Sequence, residues 1–530
     1  MPQDAPDLPA PTAEASRPNI VLILADDMGY SDIGCFGAEI RTPHLDRLAH
    51  AGARLTQMYN CARCCPSRAA LLTGCYPHQA GVGHMVSDRG RPAYQGFLND
   101  RCVTIAEALR PHGYRTYMAG KWHVGGPYPT HRPETWRPGD ARHPLPIQRG
   151  FDRHYGTLAG AGSYYDPPTL VDGDRFIRPE ADDFYYTDAI ASRAAAMAGD
   201  GLASGSPFFL YAAFTAPHWP LHARPEDIAR YDGAYRDGWD ALRTSRHETA
   251  RAMGLLESRW PISARDPRAP AWGDLPQERR AWEAQRMAVY AAQIEALDRG
   301  IGTLLRPIAD AGALRNTLVV FVSDNGGCAE FLSEDGTDEY RLPTRAGTPV
   351  RVGNVPGLLP GPEDTFMSYD LPWANASNAP FRLYKHWVHE GGISTPCVLS
   401  WPAALAAAQI RHTPAHFIDI LPTFVDAAGG GTPEGVEGES LLPLLRGEAW
   451  ERQRPLCWEH EGNRAVRAGR WKLVSRHPGP WELYDMQEDR TELRDLAAGE
   501  VERVHALEAA YAGWAERCDV VPWAELRRRG

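Results

Sequence analysis

Asp26 and Asp27 follow the apolar run Asn19 to Ala25, and Asp324 and Asn325 follow Thr317 to Ser323. Three carboxylates and one carboxamide are hard oxygen donors, suited to calcium or magnesium rather than to a metal that prefers thiolates. A single acidic pair after a strand is usually a solvated turn or a helix cap; two pairs after two such runs argue for a shared cation. Lys121 and His123 follow Tyr114 to Ala119, and His218 follows Phe208 to Thr215. Cys64 opens Cys64, Cys65, Pro66, Ser67, Arg68, and with Cys61 it also forms a lone CxxC. No second CxxC or CxxH completes a zinc site and no thioredoxin-like pattern frames the pair, so buried thiols are the simpler expectation there.

These groups need elements that bring them together. The apolar runs are continuous rather than alternating, as expected of parallel strands covered on both faces. Thr42 with Pro43, and Thr104 with Glu107, have the spacing of helix starts. Met287, Tyr290, Ala291, Ile294, Leu297, Ile301 and Leu304 mark one long amphipathic helix. Alternating strands and helices predict an α/β fold, a large and mostly parallel sheet flanked by helices. Ligands bind such sheets outside the carboxyl ends of the strands, so the four polar strand endings are expected to converge on one crevice. Stretches 219–276 and 331–380 lack periodicity and are expected to be loops shaping a cleft. Residues 1–17 read as a flexible tail, 18–430 as the catalytic domain, and 431–530 as a smaller α+β domain with an antiparallel sheet and a helix.

Composition limits the function. The 530 residues are 43% hydrophobic and 23% charged, which suits a globular protein. Fifty-six Lys plus Arg against 67 Asp plus Glu leave a formal charge of -11, so nucleic acid and anionic membrane are not expected partners and an anionic substrate requires a local cationic site. Ten cysteines are too few for a disulfide framework in a chain of this length, and no apolar stretch reaches bilayer-spanning length. With no signal-peptide pattern at the start, a cytoplasmic location is expected, and the sequon at Asn375 is expected to have no role.

The segment CCPSRAALLTG resembles the sulfatase signature CxPSRxxxLTG. PNIVLILADDMGYSDIG, GKWH, APHWPLHA, VSDNGG and YKHWVHEGGISTP also resemble sulfatase blocks and occur in family order. On these motifs the chain is identified as similar to the formylglycine-dependent sulfatases of the alkaline phosphatase superfamily, and most to bacterial arylsulfatases. The resemblance implies an alkaline phosphatase-like fold and conversion of Cys64 to formylglycine (3-oxoalanine) by a formylglycine-generating enzyme. It implies that one hydroxyl of the aldehyde hydrate attacks sulfur, the alcohol leaves, and the second hydroxyl releases sulfate from a sulfated enzyme. By the same resemblance Asp26, Asp27, Asp324, Asn325 and modified Cys64 bind one divalent cation, calcium, with Asp324 also accepting the nucleophile's proton. Arg68 steadies the hydrated residue, Lys121 and Lys385 hold sulfate oxygens, His218 protonates the leaving group and binds substrate, and His123 assists sulfate release.

Two other functions fit the same residues. One is a phosphonate monoester or phosphodiester hydrolase of the same superfamily; the other is a non-catalytic anion-binding protein in which Cys64 stays a thiol. The substrate expected is a small-molecule sulfate ester, an aryl sulfate in preference to an alkyl or sugar sulfate. Trp219, Trp260, Trp373, Trp387 and Tyr384 are candidates for the leaving-group pocket. His78, His84, His222, His386 and His389 are expected to pack or to line the pocket.

Overall fold

The computed structural model describes residues 17–336 and 342–528. Residues 1–16 of the expected tail lie outside the described residues. Arg17 is anchored, its guanidinium donating to the carbonyls of Ala428 at 3.1 Å and His112 at 2.7 Å.

The strands, in chain order, are β1 (Asn19–Ala25), β2 (Ala53–Tyr59), β3 (Arg115–Gly120), β4 (Arg153–Thr157), β5 (Leu170–Asp172), β6 (Arg175–Phe176), β7 (Phe208–Ala213), β8 (Thr317–Ser323), β9 (Arg351–Val352), β10 (Thr365–Phe366), β11 (Ser394–Ser400), β12 (Gln409–Arg411), β13 (Ala415–His416), β14 (Leu456–His460), β15 (Asn463–Ala468), β16 (Trp471–Ser475) and β17 (Glu482–Asp485). The large sheet runs β12-β2-β11-β8-β1-β7-β3-β4-β5-β6, with β13 also paired to β2. β8, β1, β7, β3 and β4 pair in parallel, whereas β11 is antiparallel to both of its neighbours. The sheet is mixed and mostly parallel, as the sequence predicts.

β1 explains its own composition. Ile20, Leu22 and Leu24 enter one apolar cluster while Val21, Ile23 and Ala25 enter another on the opposite face, so every position must be apolar. Helices Tyr186–Ala203 and Gln277–Asp310 cover the second face, and Cys64–Thr73 and Ile420–Ala427 the first. The long helix contains every periodic residue from Met287 to Leu304.

β14 to β17 form an antiparallel sheet followed by the helix Val501–Arg517. Its Trp458, Leu473 and Trp514 share one apolar cluster with Leu71 and Leu72 of the helix that begins at Cys64. A buried ionic knot joins the two sheets: Glu390 accepts from Lys472 Nζ at 2.9 Å and from Tyr59 OH at 3.0 Å, with Arg490 Nε at 3.4 Å.

Three local expectations change. Thr42 makes no side-chain cap on the helix Pro43–Ala51; Asp298 instead accepts from the N–H groups of His44 and Leu45. Stretch 219–276 is irregular over most of its length, but the helix Gly238–Ala252 interrupts it. Its buried face carries Arg243, Arg246 and His247, with Arg246 bonded to Asp32 and Glu39, so apolar periodicity could not reveal it. The helix Asp370–Ser377 interrupts the second expected loop. Thr104 and Glu107 do form a reciprocal capping box.

Candidate active site

Four strands deliver the polar residues to one end of the sheet. β1 ends in Asp26 and Asp27, β8 in Asp324 and Asn325, β3 in Lys121 and His123, and β7 leads to His218. A Cβ on Gly120 would lie 1.9 Å from the Ala213 carbonyl, so only glycine lets β3 come close enough to β7 for Lys121 N–H to bond that carbonyl at 2.8 Å. Asp27 and His123 have φ of 65° and 55°, a backbone region that non-glycine residues occupy mainly where the surroundings impose it.

The acidic residues form a connected buried group. Asp27 N–H donates to Asp324 Oδ1 at 3.2 Å, and Asn325 Nδ2 donates to Asp27 Oδ1 at 2.7 Å. Cations surround them. Arg68 donates to Asp324 Oδ2 through Nε at 3.0 Å and Nη2 at 2.8 Å, and Nη1 holds the Lys121 carbonyl at 2.9 Å. Lys121 Nζ bonds Asp26, and Lys385 Nζ donates to Asp27 Oδ2 at 2.9 Å. His218 Nε2 lies 3.3 Å from the same Asp27 oxygen, while its Nδ1 lies 2.6 Å from the Trp219 carbonyl. A ring nitrogen beside a carbonyl carries the proton, so Nε2 is the atom facing the site.

Cys64 is the first residue of the helix Cys64–Thr73, whose N-terminal end favours negative charge. Its thiol is held well below the usual thiol range by a hydrogen bond with Cys65, and further by Lys121, His123 and Lys385, against the effect of burial. His123 Nε2 lies 3.3 Å from Cys65 Sγ, and burial pushes this imidazole down to about 4. Asp324 is pushed up to about 8, first by burial and then by the charge of Asp26. Asp26 Oδ1 and Asn325 Oδ1 are buried and have no hydrogen-bond partner. Two orphaned oxygens among crowded carboxylates fit a hard divalent cation, which would occupy both and neutralise the residual negative charge.

The structure therefore brings Asp26, Asp27, Cys64, Arg68, Lys121, His123, His218, Asp324, Asn325 and Lys385 to one end of the sheet. It also adds residues that the sequence did not reveal. Glu330 binds Arg63 at 2.8 Å and Trp219 Nε1 at 2.9 Å, and lies 3.6 Å from Lys385 Nζ. Burial opposes ionisation of Glu330, but Lys385 and Arg63 more than offset it and keep it a carboxylate. It follows the VSDNGG block in a segment without periodicity, and only its closeness to that block hints at its position.

The aromatic candidates divide. Trp219 is half-buried against the His218 ring, with centroids 4.8 Å apart, and Trp387 is also half-buried. Trp260 and Trp373 are core residues, the latter packed against Trp239 and Trp272, and Tyr384 is buried with its hydroxyl on Asp266. These three do not line a pocket at the site. His222 packs as expected, fully buried against the Thr365 carbonyl.

The sulfatase family model matches residues 18–430, which contain every one of these site residues. The chain belongs to the sulfatase family. A second model, N-sulphoglucosamine sulphohydrolase, C-terminal, matches residues 381–508 of this sulfatase. The chain is 33% identical to an uncharacterized sulfatase of Schizosaccharomyces pombe, over 92% of this chain and 91% of that protein. It is 34% identical to an arylsulfatase of Klebsiella aerogenes, over 82% of this chain and 92% of that protein. The crystal structure of Ps i-CgsB in complex with k-i-k-neocarrahexaose is similar with a TM-score of 0.66 and 25% identity, covering 94% of this chain and 93% of that chain. Membership makes the sulfatase a sulfuric ester hydrolase.

Proposed function

We propose that this sulfatase hydrolyses sulfate monoesters of phenols, with residue 64 converted from cysteine to formylglycine by a formylglycine-generating enzyme and with calcium as the metal. The observation that carries this reading is the pair of buried, unbonded oxygens of Asp26 and Asn325 within a ring of cations close to Cys64. The modified residue would supply a hydrated aldehyde as nucleophile, and the cation, held by Asp26, Asp27, Asp324, Asn325 and residue 64, would supply charge neutralisation.

The chain's own groups then have distinct roles. Asp324, ionised once a bound cation and Arg68 offset its burial and the charge of Asp26, accepts a proton from residue 64, and Arg68, bonded to Asp324 and to the Lys121 carbonyl, fixes the orientation of both partners. Lys121 and Lys385 exchange their carboxylate contacts for sulfate oxygens, where positioned cations contribute several kcal/mol to the transition state, on the order of 3. His218, as the imidazolium with both ring nitrogens protonated, gives its Nε2 proton to the departing oxygen while Nδ1–H stays on the Trp219 carbonyl, and His123 takes a proton at residue 64 during sulfate release.

The phenolic preference draws on the surroundings of His218. Trp219 packs against its ring at a tilt of 40° and meets Phe366 edge-on at 5.5 Å. Phe366 also lines a cleft of about 410 Å³ whose wall combines Trp136, Pro168 and Phe176 with Asp166, Arg178 and Glu363, so the aromatic face offered beside His218 is that of Trp219 and Phe366. The arylsulfatase relative supports the same class. The nine cysteines other than residue 64 are buried free thiols, which suits a reducing compartment such as the cytoplasm.

The test combines the mass of the peptide containing residue 64, from protein made beside a formylglycine-generating enzyme, with turnover of 4-nitrophenyl sulfate and glucosamine 6-sulfate in calcium. Loss of the thiol in favour of an aldehyde and preference for the aryl ester are expected. An intact cysteine in active protein would overturn the nucleophile, and preference for the sugar ester would overturn the aryl assignment.

A further inference from the structure

His84, His386, His460 and Glu461 meet where three separate segments touch. His84 lies beyond the helix Cys64–Thr73, His386 follows Lys385, and His460 and Glu461 occupy the end of β14 and its turn into β15. Glu461 Oε1 lies 2.8 Å from His84 Nε2 and 3.9 Å from His460 Nε2, and Glu461 Oε2 lies 3.3 Å from His386 Nδ1. One ligand atom each from His386, His460 and Glu461 fall within 4.8 Å of one another. Donors about 2.0 to 2.1 Å from a tetrahedral zinc ion stand roughly 3.3 Å apart, so these separations bracket the required spacing with only small side-chain movements.

The decisive residue is His460. It is fully buried, and neither of its ring nitrogens has a hydrogen-bond partner. A buried imidazole rarely leaves both nitrogens unused, and this one stands beside a carboxylate whose ionic partners among the described residues are all imidazoles. Burial keeps His460 neutral, the form that ligates. Arg63, whose charge acts on His460, is paired with Glu330 at 2.8 Å. The side chains of His386 and Glu461 are 28% and 26% exposed, which gives a metal ion a way in.

We propose that His386, His460 and Glu461 form a second metal site for a borderline divalent ion of the zinc class. His84 serves either as fourth ligand or as the group that orients Glu461; its ring is stacked on that of His460, with centroids 5.7 Å apart. Two imidazoles and one carboxylate favour zinc over calcium, the reverse of the all-oxygen set at Asp26, Asp27, Asp324 and Asn325. Without metal, Asn463 Nδ2 lies 3.3 Å from His386 Nε2, which puts the ring proton on Nδ1 facing Glu461. Loading moves that proton to Nε2, so the contact from Asn463 Nδ2, which also donates to the His460 carbonyl at 3.0 Å, is given up. A bound ion would tie the C-terminal sheet to the residue next to Lys385. The site is independent of the reaction proposed above.

The experiment uses Cys64→Ala protein, which removes the thiol beside Cys65 and His123 as a competing zinc ligand. The protein is stripped with chelator, saturated with calcium, exposed to zinc, passed through gel filtration and analysed for bound metal. One zinc per chain is expected, falling to near zero when His460→Ala or Glu461→Gln is added, and cobalt is expected to give the intense visible absorption of a four- or five-coordinate site. His386→Asn alters a partly exposed side chain with little threat to folding and is expected to weaken zinc binding at least about tenfold. Absence of retained zinc in the Cys64→Ala protein overturns the proposal, as does unchanged zinc affinity in His386→Asn.

Discussion

Lys385 Nζ donates to Asp27 Oδ2 at 2.9 Å across 358 residues of sequence, and both groups are buried. The same Asp27 oxygen faces His218 Nε2 at 3.3 Å. One carboxylate thus orients two groups assigned to opposite ends of the reaction, the lysine on sulfate and the histidine on the leaving oxygen. Lys385→Ala is expected to lower kcat/KM for 4-nitrophenyl sulfate by about 10² to 10³. It also leaves Asp27 with less cationic compensation, so the calcium-free thermal midpoint is expected to fall, since breaking a buried pair costs about 3 to 5 kcal/mol. Steady-state kinetics and thermal melts check both; activity within threefold of wild type would remove Lys385 from substrate binding.

His218→Ala separates proton donation from binding. A phenol that leaves readily needs little protonation, and a poor leaving group needs much. The variant is expected to lose about 10² to 10⁴ in kcat/KM on unsubstituted phenyl sulfate and markedly less on 4-nitrophenyl sulfate. A series of phenyl sulfates reads this as a steeper dependence of rate on phenol pKa. Equal losses along the series would mean that His218 only positions its neighbours.

The site was legible in the sequence where the fold forces composition. β1 and β8 are buried on both faces, so their apolar runs had to be continuous, and the first polar residues after them had to lie at the sheet edge. The same logic found the endings of β3 and β7. It could not find Glu330, which holds Lys385 and Trp219 from an irregular segment that no periodicity marks, or its pairing with Arg63. Burial of the aromatic candidates was equally hidden: Trp219 and Trp373 each adjoin a proline in sequence, yet one packs against the His218 ring and the other fills the core. Residues that act through tertiary partners leave no local signature. The Gly238–Ala252 helix, with Arg246 buried against Asp32 and Glu39, is the clearest example.

Calcium should stabilise as well as activate. Asp26 Oδ1 and Asn325 Oδ1 are buried without a hydrogen-bond partner, and the proposed ligand set is assembled only by the fold. Calcium at about 100 times its dissociation constant is expected to add about 2.7 kcal/mol of stability. Chelation should abolish turnover and lower the thermal midpoint, and Asn325→Ala should shrink the calcium-dependent shift. A calcium-dependent shift unchanged in that variant would remove Asn325 from the ligand set.

Asp298 supplies a pH dependence far from the chemistry. It accepts from His44 N–H at 3.1 Å and Leu45 N–H at 2.9 Å, capping the helix Pro43–Ala51 from the long helix Gln277–Asp310. Burial pushes its carboxyl up to about 6; the two backbone bonds and Arg47 oppose the shift, and Asp46 adds to it. An unfolded aspartate titrates near about 3.9. The raised folded value means that the native chain keeps this proton while the unfolded chain releases it. The contribution to stability is therefore complete below about pH 3.9 and declines as pH rises to about 6, by at most roughly 3 kcal/mol, with no further change above. Asp298→Asn cannot titrate and retains one acceptor oxygen, so the variant should gain on wild type as pH rises through that window and hold a constant difference at higher pH. His44 titrates nearby but is present in both proteins, so thermal midpoints compared at each pH isolate the carboxyl. A difference that is flat from about pH 4 to 7 would show that Asp298 is already ionised at the bottom of the range and that its backbone bonds outweigh burial.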